Sequence, residues 1–288
     1  MKWMITGANG QLGNCLIDEL KSTDHEFVGL SRTQLDICVK NDIDSWLDDY
    51  KPDVVVNVAA YTDVNKAELE PEKAFLVNST GVGLLARKTQ ERGAKFLHFS
   101  TDYVFSGEAD VPWKANSVIA PQSVYGSSKA QGEQVALNLN PESLIIRTSW
   151  LYSKYSNNFL KRMVSIALTE MRSIEVICDQ IGQPTWARDV AELSVRAIEK
   201  QSISGLIHAS NSGEVSWYEY AKTIFEICGV DPARVKPIKS EDFSCLAKRP
   251  KYSAMDNSDW KKYHLQPLGP WRESLERAIP GVLSSLSL

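Results

Sequence analysis

Lys2-Trp3-Met4-Ile5-Thr6-Gly7-Ala8-Asn9-Gly10-Gln11-Leu12-Gly13 is the stretch on which the fold turns. A short apolar run that suits a buried strand enters a glycine turn, and Leu16, Ile17 and Leu20 then recur at helical spacing. Strand, glycine turn and helix together open a dinucleotide-binding unit. The turn lets backbone N–H groups and the helix N-terminus approach a pyrophosphate, and the small residues let the helix sit close on the sheet. The spacing of Gly7, Gly10 and Gly13 departs from the Gly-x-Gly-x-x-Gly of ordinary dehydrogenases, and such a turn also occurs with no ligand.

Outward from this stretch the alternation of strand and helix continues. A second strand over 26–30 ends at Ser31 and Arg32, where a dinucleotide fold reads the adenosine ribose. An acid here binds a free 2′-hydroxyl and an arginine accommodates a 2′-phosphate; Arg32 reads equally as a solvated loop residue. A helix over 40–50 follows, then a β-branched run over 54–60, apolar on both faces as a central parallel strand requires. The pattern predicts a helix over 71–92 stopped by Gly93 and a strand over 95–100. Ser100-Thr101-Asp102 then stands at the strand's carboxyl end, which faces the ligand crevice of such sheets. A helix from Tyr125 to about residue 139 and a strand over 143–148 complete the series.

This order predicts an α/β chain with a Rossmann-like doubly wound parallel sheet and a smaller α/β substrate-binding domain. The expected division is a dinucleotide-binding domain over 1–150 with a segment returning near 185–210, and lid segments over 151–184 and 211–288. The later elements expected are helices over 158–169, 187–200, 216–228 and 271–278 and strands over 175–178 and 205–209.

A net charge of -4 argues against nucleic acid or an anionic membrane surface held by a general basic field. No apolar run reaches membrane-spanning length and the N-terminal one is too short for a signal peptide, so the expected compartment is the cytoplasm. Five cysteines lack a C-x-x-C pair and four histidines are scattered, so neither a disulfide framework nor a zinc site is expected.

The chemistry sits in Tyr125-Gly126-Ser127-Ser128-Lys129. Residues four apart share a helix face. An ammonium near a phenol favours the phenolate, so Tyr125, with an ordinary value of about 10, would titrate nearer neutrality and exchange a proton with a substrate oxygen. In this reading Tyr125 is the acid and Lys129 its tuner; taken alone, the pair also reads as a surface feature of an amphipathic helix.

The glycine turn, Ser100-Thr101-Asp102-Tyr103-Val104-Phe105 and Tyr125-Gly126-Ser127-Ser128-Lys129, in this order and spacing, resemble the extended short-chain dehydrogenase/reductases. Four further segments, Asn57-Val58-Ala59-Ala60-Tyr61-Thr62-Asp63, Arg147-Thr148-Ser149-Trp150, Asp179-Gln180-Ile181-Gly182-Gln183-Pro184-Thr185 and Arg249-Pro250-Lys251-Tyr252-Ser253, narrow the resemblance to the dTDP-4-dehydrorhamnose reductase family. It implies reduction of dTDP-4-dehydro-L-rhamnose by NADPH or NADH. It further implies a catalytic triad of Thr101, Tyr125 and Lys129, with the cofactor along Gly7, Gly10, Gln11, Leu12, Gly13, Ser31, Arg32, Asp36, Ile37, Ala59, Ala60 and Tyr61, and the substrate held by Thr101, Asp102, Trp150 and Arg249. Lys248 and Lys251 flank Arg249 near the expected diphosphate, although a basic loop also reads as merely solvated. Arg32 and the absence of a carboxylate directly after the second strand point to NADPH as the preferred cofactor.

Some members of this family resemble homodimers bridged by magnesium through two glutamates; the corresponding positions here are Cys15 and Arg188. A thiol is a poor ligand for a hard cation and an arginine repels it, so no metal is expected, and the chain is expected to be a monomer or a homodimer of another kind. Three alternatives stand beside the reductase. An epimerase or another nucleotide-sugar reductase shares the glycine turn and the Tyr/Lys pair. A dehydratase resembles these enzymes but carries Asp-Glu after the catalytic threonine, where this chain has Asp102-Tyr103. A non-catalytic NADP-binding regulatory subunit also resembles this family.

Overall fold

The computed structural model describes residues 1–200 and 203–286. Six strands form one parallel sheet: β1 (Lys2–Thr6), β2 (Glu26–Leu30), β3 (Val54–Asn57), β4 (Lys95–Thr101), β5 (Leu144–Thr148) and, after four short strands, β10 (Gly205–His208). Their order across the sheet is β10-β5-β4-β3-β1-β2. Register runs through Met4 opposite Val28 and Val55, and Phe99 opposite Ile146. Because β2 lies on one side of β1 and β3 on the other, the chain reverses direction at β1. A ligand crevice opens beyond the carboxyl ends of the strands at such a reversal.

Both faces of β1 are apolar because both are covered. Trp3 and Ile5 pack with α1 (Gln11–Leu20) and, later in the chain, α8 (Ala187–Glu199). Met4 packs with α2 (Lys40–Tyr50), with α5 (Val82–Arg92) after the short helices α3 (Val64–Leu69) and α4 (Pro71–Phe75), and with Ala136 of α6 (Val124–Leu139). The chain thus returns to the first core through α8 and β10.

A second core is built by Tyr152 of β6 (Leu151–Tyr152), α7 (Phe159–Thr169), β7 (Ile174–Ile177), α9 (Trp217–Ile227), β12 (Val235–Ile238) and α10 (Trp271–Leu286). The Asp179–Thr185 region contributes the short strands β8 (Ile181–Gly182) and β9 (Thr185–Trp186), and β8 pairs with β11 (Val215–Ser216). Asn158 and Ser216 cap α7 and α9, accepting from the N–H groups of Lys161 and Glu219. In the tail, Trp260 and Leu265 pack back into the first core, and the Trp260 indole donates to the His208 carbonyl at 2.6 Å.

Three expectations from the pattern are corrected. The strand over 54–60 stops at Asn57, whose side-chain oxygen accepts from the Ala59 N–H at 3.2 Å and turns the chain out of the sheet. The helix over 71–92 is broken by a π turn, Leu76–Gly81, which directs Asn78 onto the Tyr61 N–H and the Ser128 hydroxyl. The last helix passes Ala278 and continues through Pro280 to Leu286, because Ile279 and Val282 beyond that point are buried in the second core.

Candidate active site

A cleft of about 800 Å³ runs along the carboxyl ends of β1, β3, β4 and β5. Its lining contains Gly7, Gly10, Gln11, Leu12, Gly13, Ser31, Arg32, Asp36, Ile37, Ala59, Ala60, Tyr61, Thr101, Asp102, Tyr125, Lys129 and Trp150. Of the site residues expected from the sequence, only Arg249 is absent from it. The fold therefore brings together in one place residues separated by up to 143 positions, Gly7 to Trp150.

The glycine end is shaped for close approach. Gly7 has φ 66°, and a Cβ there would meet the Ala59 nitrogen at 2.6 Å, so the turn passes directly over the end of β3. Gly10 caps α1 with no side-chain hydrogen bond, which leaves the first N–H groups of that helix available to an anion. The Gln11 side chain is engaged elsewhere: its oxygen accepts from Asn158 at 2.8 Å and Ser153 at 3.2 Å, tying the turn to the segment after β6. These features fit a dinucleotide pyrophosphate.

At the ribose end the Arg32 side chain is 81% exposed and its Nε lies 3.4 Å from Asp36. Asp36 also accepts from the Cys38 N–H at 2.9 Å. The Ser31 hydroxyl is held by Gln34 at 2.7 Å. Tyr61 lines the cleft with its hydroxyl donating to Glu70 at 2.8 Å.

Thr101, at the end of β4, donates to Asp102 Oδ1 at 3.0 Å and accepts from the Tyr103 N–H. The second carboxylate oxygen of Asp102 has no partner, although the unpartnered Ser253 hydroxyl lies close by. Burial pushes the Asp102 carboxyl up to about 6, against the lowering effect of Ser253 and Thr101. Burial likewise pushes the Tyr125 phenol up to about 12, with the Thr101 hydroxyl pulling it part of the way back and Asp102 adding to the rise. This is opposite to the expected lowering. Burial outweighs the charge, and the Lys129 ammonium is engaged elsewhere: its Nζ donates to the Phe99 carbonyl at 2.5 Å and stands 3.2 Å from His98 Nε2. A phenol with a high pKa is protonated at neutral pH, the form that can give a proton to a carbonyl oxygen.

Trp150 has φ 45°, a left-handed conformation that only strong packing sustains in a tryptophan. Its indole stacks on Trp217, ring centroids 3.5 Å apart, and Gly182 lies against the same ring. The expected sugar platform is thus one member of an aromatic wall with Trp217, Phe159 and Tyr220. Sequence reasoning passed over Trp217 and Phe159 because they lie in ordinary amphipathic helices. It also passed over His98, for which a signal existed: a polar side chain inside an apolar parallel strand. Arg249 is half-buried with Nε unpartnered, and it lowers the neighbouring Tyr103 phenol against the larger effect of burial.

Cys15 and Arg188 line a separate cavity of about 390 Å³ together with Asp18, Glu19 and Lys154. Burial pushes the Cys15 thiol up to about 12, and the Arg188 guanidinium lies over the Trp186 ring. A protonated thiol offers a hard cation no anionic ligand.

The parallel sheet with its glycine turn at the reversal point, and the tyrosine and lysine one helical turn apart in the cleft, define a Rossmann-type oxidoreductase of the short-chain dehydrogenase/reductase class. The chain belongs to the family whose model is described as RmlD substrate binding domain, which matches residues 1–283. It is 38% identical to a dTDP-4-dehydrorhamnose reductase of Streptomyces griseus over 98% of this chain and 94% of that protein. It is 36% identical to a dTDP-4-keto-6-deoxy-D-glucose reductase of Streptomyces niveus over 97% and 96% respectively. Among solved structures, dTDP-4-dehydrorhamnose reductase from Bacillus anthracis in complex with NADP superposes with a TM-score of 0.93 at 36% identity, over 97% of this chain and 98% of that one. Among the described residues no helix is long and apolar enough to cross a membrane.

Proposed function

We propose that this protein reduces the C4 keto group of dTDP-4-dehydro-L-rhamnose to give dTDP-L-rhamnose, using NADPH in preference to NADH. The observation that carries the reading is the floor of the cleft, where Thr101, Asp102 and the protonated Tyr125 lie together, in a chain whose full-length relatives include 4-keto-sugar reductases. Bound reduced nicotinamide supplies the hydride. The residues of the chain do the rest. The N–H groups that open α1 hold the pyrophosphate, Arg32 meets a 2′-phosphate, and Ala59 and Ala60 line the cofactor's path. Thr101 polarises the keto oxygen and Tyr125 donates the proton to it. Asp102 orients the sugar through its unpartnered oxygen, the aromatic wall around Trp150 and Trp217 covers its apolar face, and Arg249 stands toward the diphosphate.

In this reading residues 1–150 with a 185–210 return carry the cofactor and 151–184 with 211–288 close over the sugar; the existence of a second core supports it, although Trp260 and Leu265 of the last segment pack into the first. The reading carries with it a cytoplasmic enzyme and a monomer or a homodimer without a metal bridge. EDTA should therefore change neither activity nor sedimentation, and a loss restored by magnesium would refute the latter.

Incubation with dTDP-4-dehydro-L-rhamnose and NADPH, followed at the nicotinamide absorbance, tests the function. Turnover should depend on both; its absence with folded protein would end the reading. The similarity to a dTDP-4-keto-6-deoxy-D-glucose reductase favours one second reading, in which the sugar lacks inversion at C3 and C5. The same assay with that sugar decides between them by kcat/KM.

A further inference from the structure

Gln11 is the first residue of α1, and its main chain and side chain serve different parts of the molecule. The main chain belongs to the glycine turn, where the opening N–H groups of the helix suit a pyrophosphate. The side chain reaches a segment 140 or more positions further on. Its Nε2 donates to the Leu151 carbonyl at 3.4 Å, and its Oε1 accepts from the Ser153 hydroxyl at 3.2 Å and from Asn158 Nδ2 at 2.8 Å.

Backbone partners fix how the two amides are turned. The Leu151 carbonyl only accepts, so the Gln11 atom facing it is the nitrogen and the atom facing Ser153 and Asn158 is the oxygen. The Lys161 N–H only donates, and it donates to Asn158 Oδ1 at 3.0 Å, so Asn158 turns its nitrogen toward Gln11. Asn158 therefore does two things at once: its oxygen caps α7, and its nitrogen hooks that helix to the glycine turn. The loop before it is tied to α1 separately, through Tyr155 and Lys154 on Asp18. Phe159, the next residue, packs against Trp217 with ring centroids 4.6 Å apart and against Tyr220 at 5.6 Å. Gln11, Asn158, Phe159, Trp217 and Tyr220 all line the same cleft.

We infer that Gln11 and Asn158 are positioning residues that latch the two sides of the cleft together, so that cofactor binding at the glycine turn orders the start of α7 and the aromatic wall behind it. The N–H groups of the turn, once they hold a pyrophosphate, fix the Gln11 main chain. The hydrogen bonds of its side chain carry that restraint to Asn158 and so to Phe159. A sugar nucleotide then meets a wall already ordered and loses less entropy in binding, which couples the two affinities by the same factor in both directions. The sugar half of this coupling rests on the reductase reading; the effect of the cofactor on α7 does not.

Hydrogen exchange of the whole protein, with and without saturating NADP⁺, reads the latch directly. In the wild type, NADP⁺ should slow exchange of the amides in the first turn of α7 by about fivefold or more. Asn158→Ser keeps a capping oxygen of equal quality but is too short to reach Gln11, and Gln11→Ala removes the other partner. In both variants the slowing should shrink to less than about twofold at saturating NADP⁺. Wild-type amides unmoved by NADP⁺, or a slowing that survives in the variants, would overturn the inference. A cofactor that touches α7 directly gives the second of these results, and so does an Asn158 that only caps. Calorimetry with dTDP-L-rhamnose measures the sugar half: NADP⁺ should tighten its binding about fivefold or more in the wild type and less than about twofold in Asn158→Ser. Equal tightening in both rules the latch out. If dTDP-L-rhamnose does not bind, the reductase reading fails and the exchange measurement alone decides the latch.

Discussion

Replacing Glu133 by glutamine attacks the ion pair that joins α6 to β5. Arg147 Nε donates to Glu133 Oε1 at 2.7 Å and Nη2 to Oε2 at 2.6 Å, and both side chains are only 3% exposed. The guanidinium also donates to the Ala115 carbonyl at 3.1 Å and lies 5.0 Å over the Phe105 ring. Glu133→Gln leaves that cation buried and faces one of its donors with an amide. Removing one partner of a buried pair costs about 3–5 kcal/mol. An unfolding entropy of about 2.1 cal/mol/K per residue amounts to about 0.6 kcal/mol/K for 288 residues, so the melting temperature should fall by about 5–8 °C. The double replacement Glu133→Leu with Arg147→Met removes both charges and should recover most of the loss, because the attraction of a buried pair does little more than offset its desolvation. Thermal unfolding followed by circular dichroism at neutral pH measures both. A fall under about 2 °C in the single variant, or a double variant no better than the single, would refute this account of how the helix bearing Tyr125 and Lys129 is held.

Tyr125→Phe should lower kcat by about 10²- to 10⁴-fold with the dissociation constant for NADPH unchanged, and near wild-type turnover would remove the tyrosine from the mechanism. The wild type should favour NADPH over NADH by about tenfold in kcat/KM, modest because Arg32 is largely exposed, and Arg32→Ala should erase that ratio; equal use of both cofactors by the wild type would hand the ribose to Asp36. Asp102 predicts a pH dependence of stability. Its folded pKa, about 6, lies above the ordinary 3.8, so between these values the folded protein binds a proton that the unfolded chain has released. Stability from this group is present below pH 3.8 and is lost as pH rises through about 6, a loss of about 3 kcal/mol. Asp102→Asn should therefore be more stable than wild type at pH 7 by roughly that amount and should lose the advantage near pH 4, measured by urea unfolding across this range; a variant no more stable at pH 7 contradicts the burial argument.

The first half of the chain is legible because its signals are local. Apolar runs such as Val54-Val55-Val56 can only lie in a sheet covered on both faces, and the glycine turn needs its left-handed residue at Gly7 whatever packs around it. Helix caps at Asn158 and Ser216 act within three residues. The tyrosine and lysine lie one helical turn apart and therefore both reach the cleft. The alternation also predicts that β10 rejoins the sheet, and it does so beside β5.

What the local pattern leaves open lies wherever a distant segment sets the cost. The π turn at Leu76–Gly81 meets α6 at Gly132, where a Cβ would lie 2.1 Å from the Asn78 carbonyl, a contact across 54 residues that no window of sequence contains. Pro280 stops a helix when its neighbours are solvated, but here Ile279 and Val282 are buried and the helix runs on. Trp150 is conspicuous in the sequence, yet its stacking partner is Trp217, contributed by α9. Above all, the charge states at the site belong to the folded protein. The spacing of Tyr125 and Lys129 suggests a lowered phenol, whereas burial raises it and His98, brought in by β4, claims the lysine. By itself the sequence determined the sheet, the turn and the reactive pair, because sterics and capping act over a few residues. Tertiary structure alone decided which protons those groups carry, because desolvation and hydrogen bonding depend on every segment that closes over them.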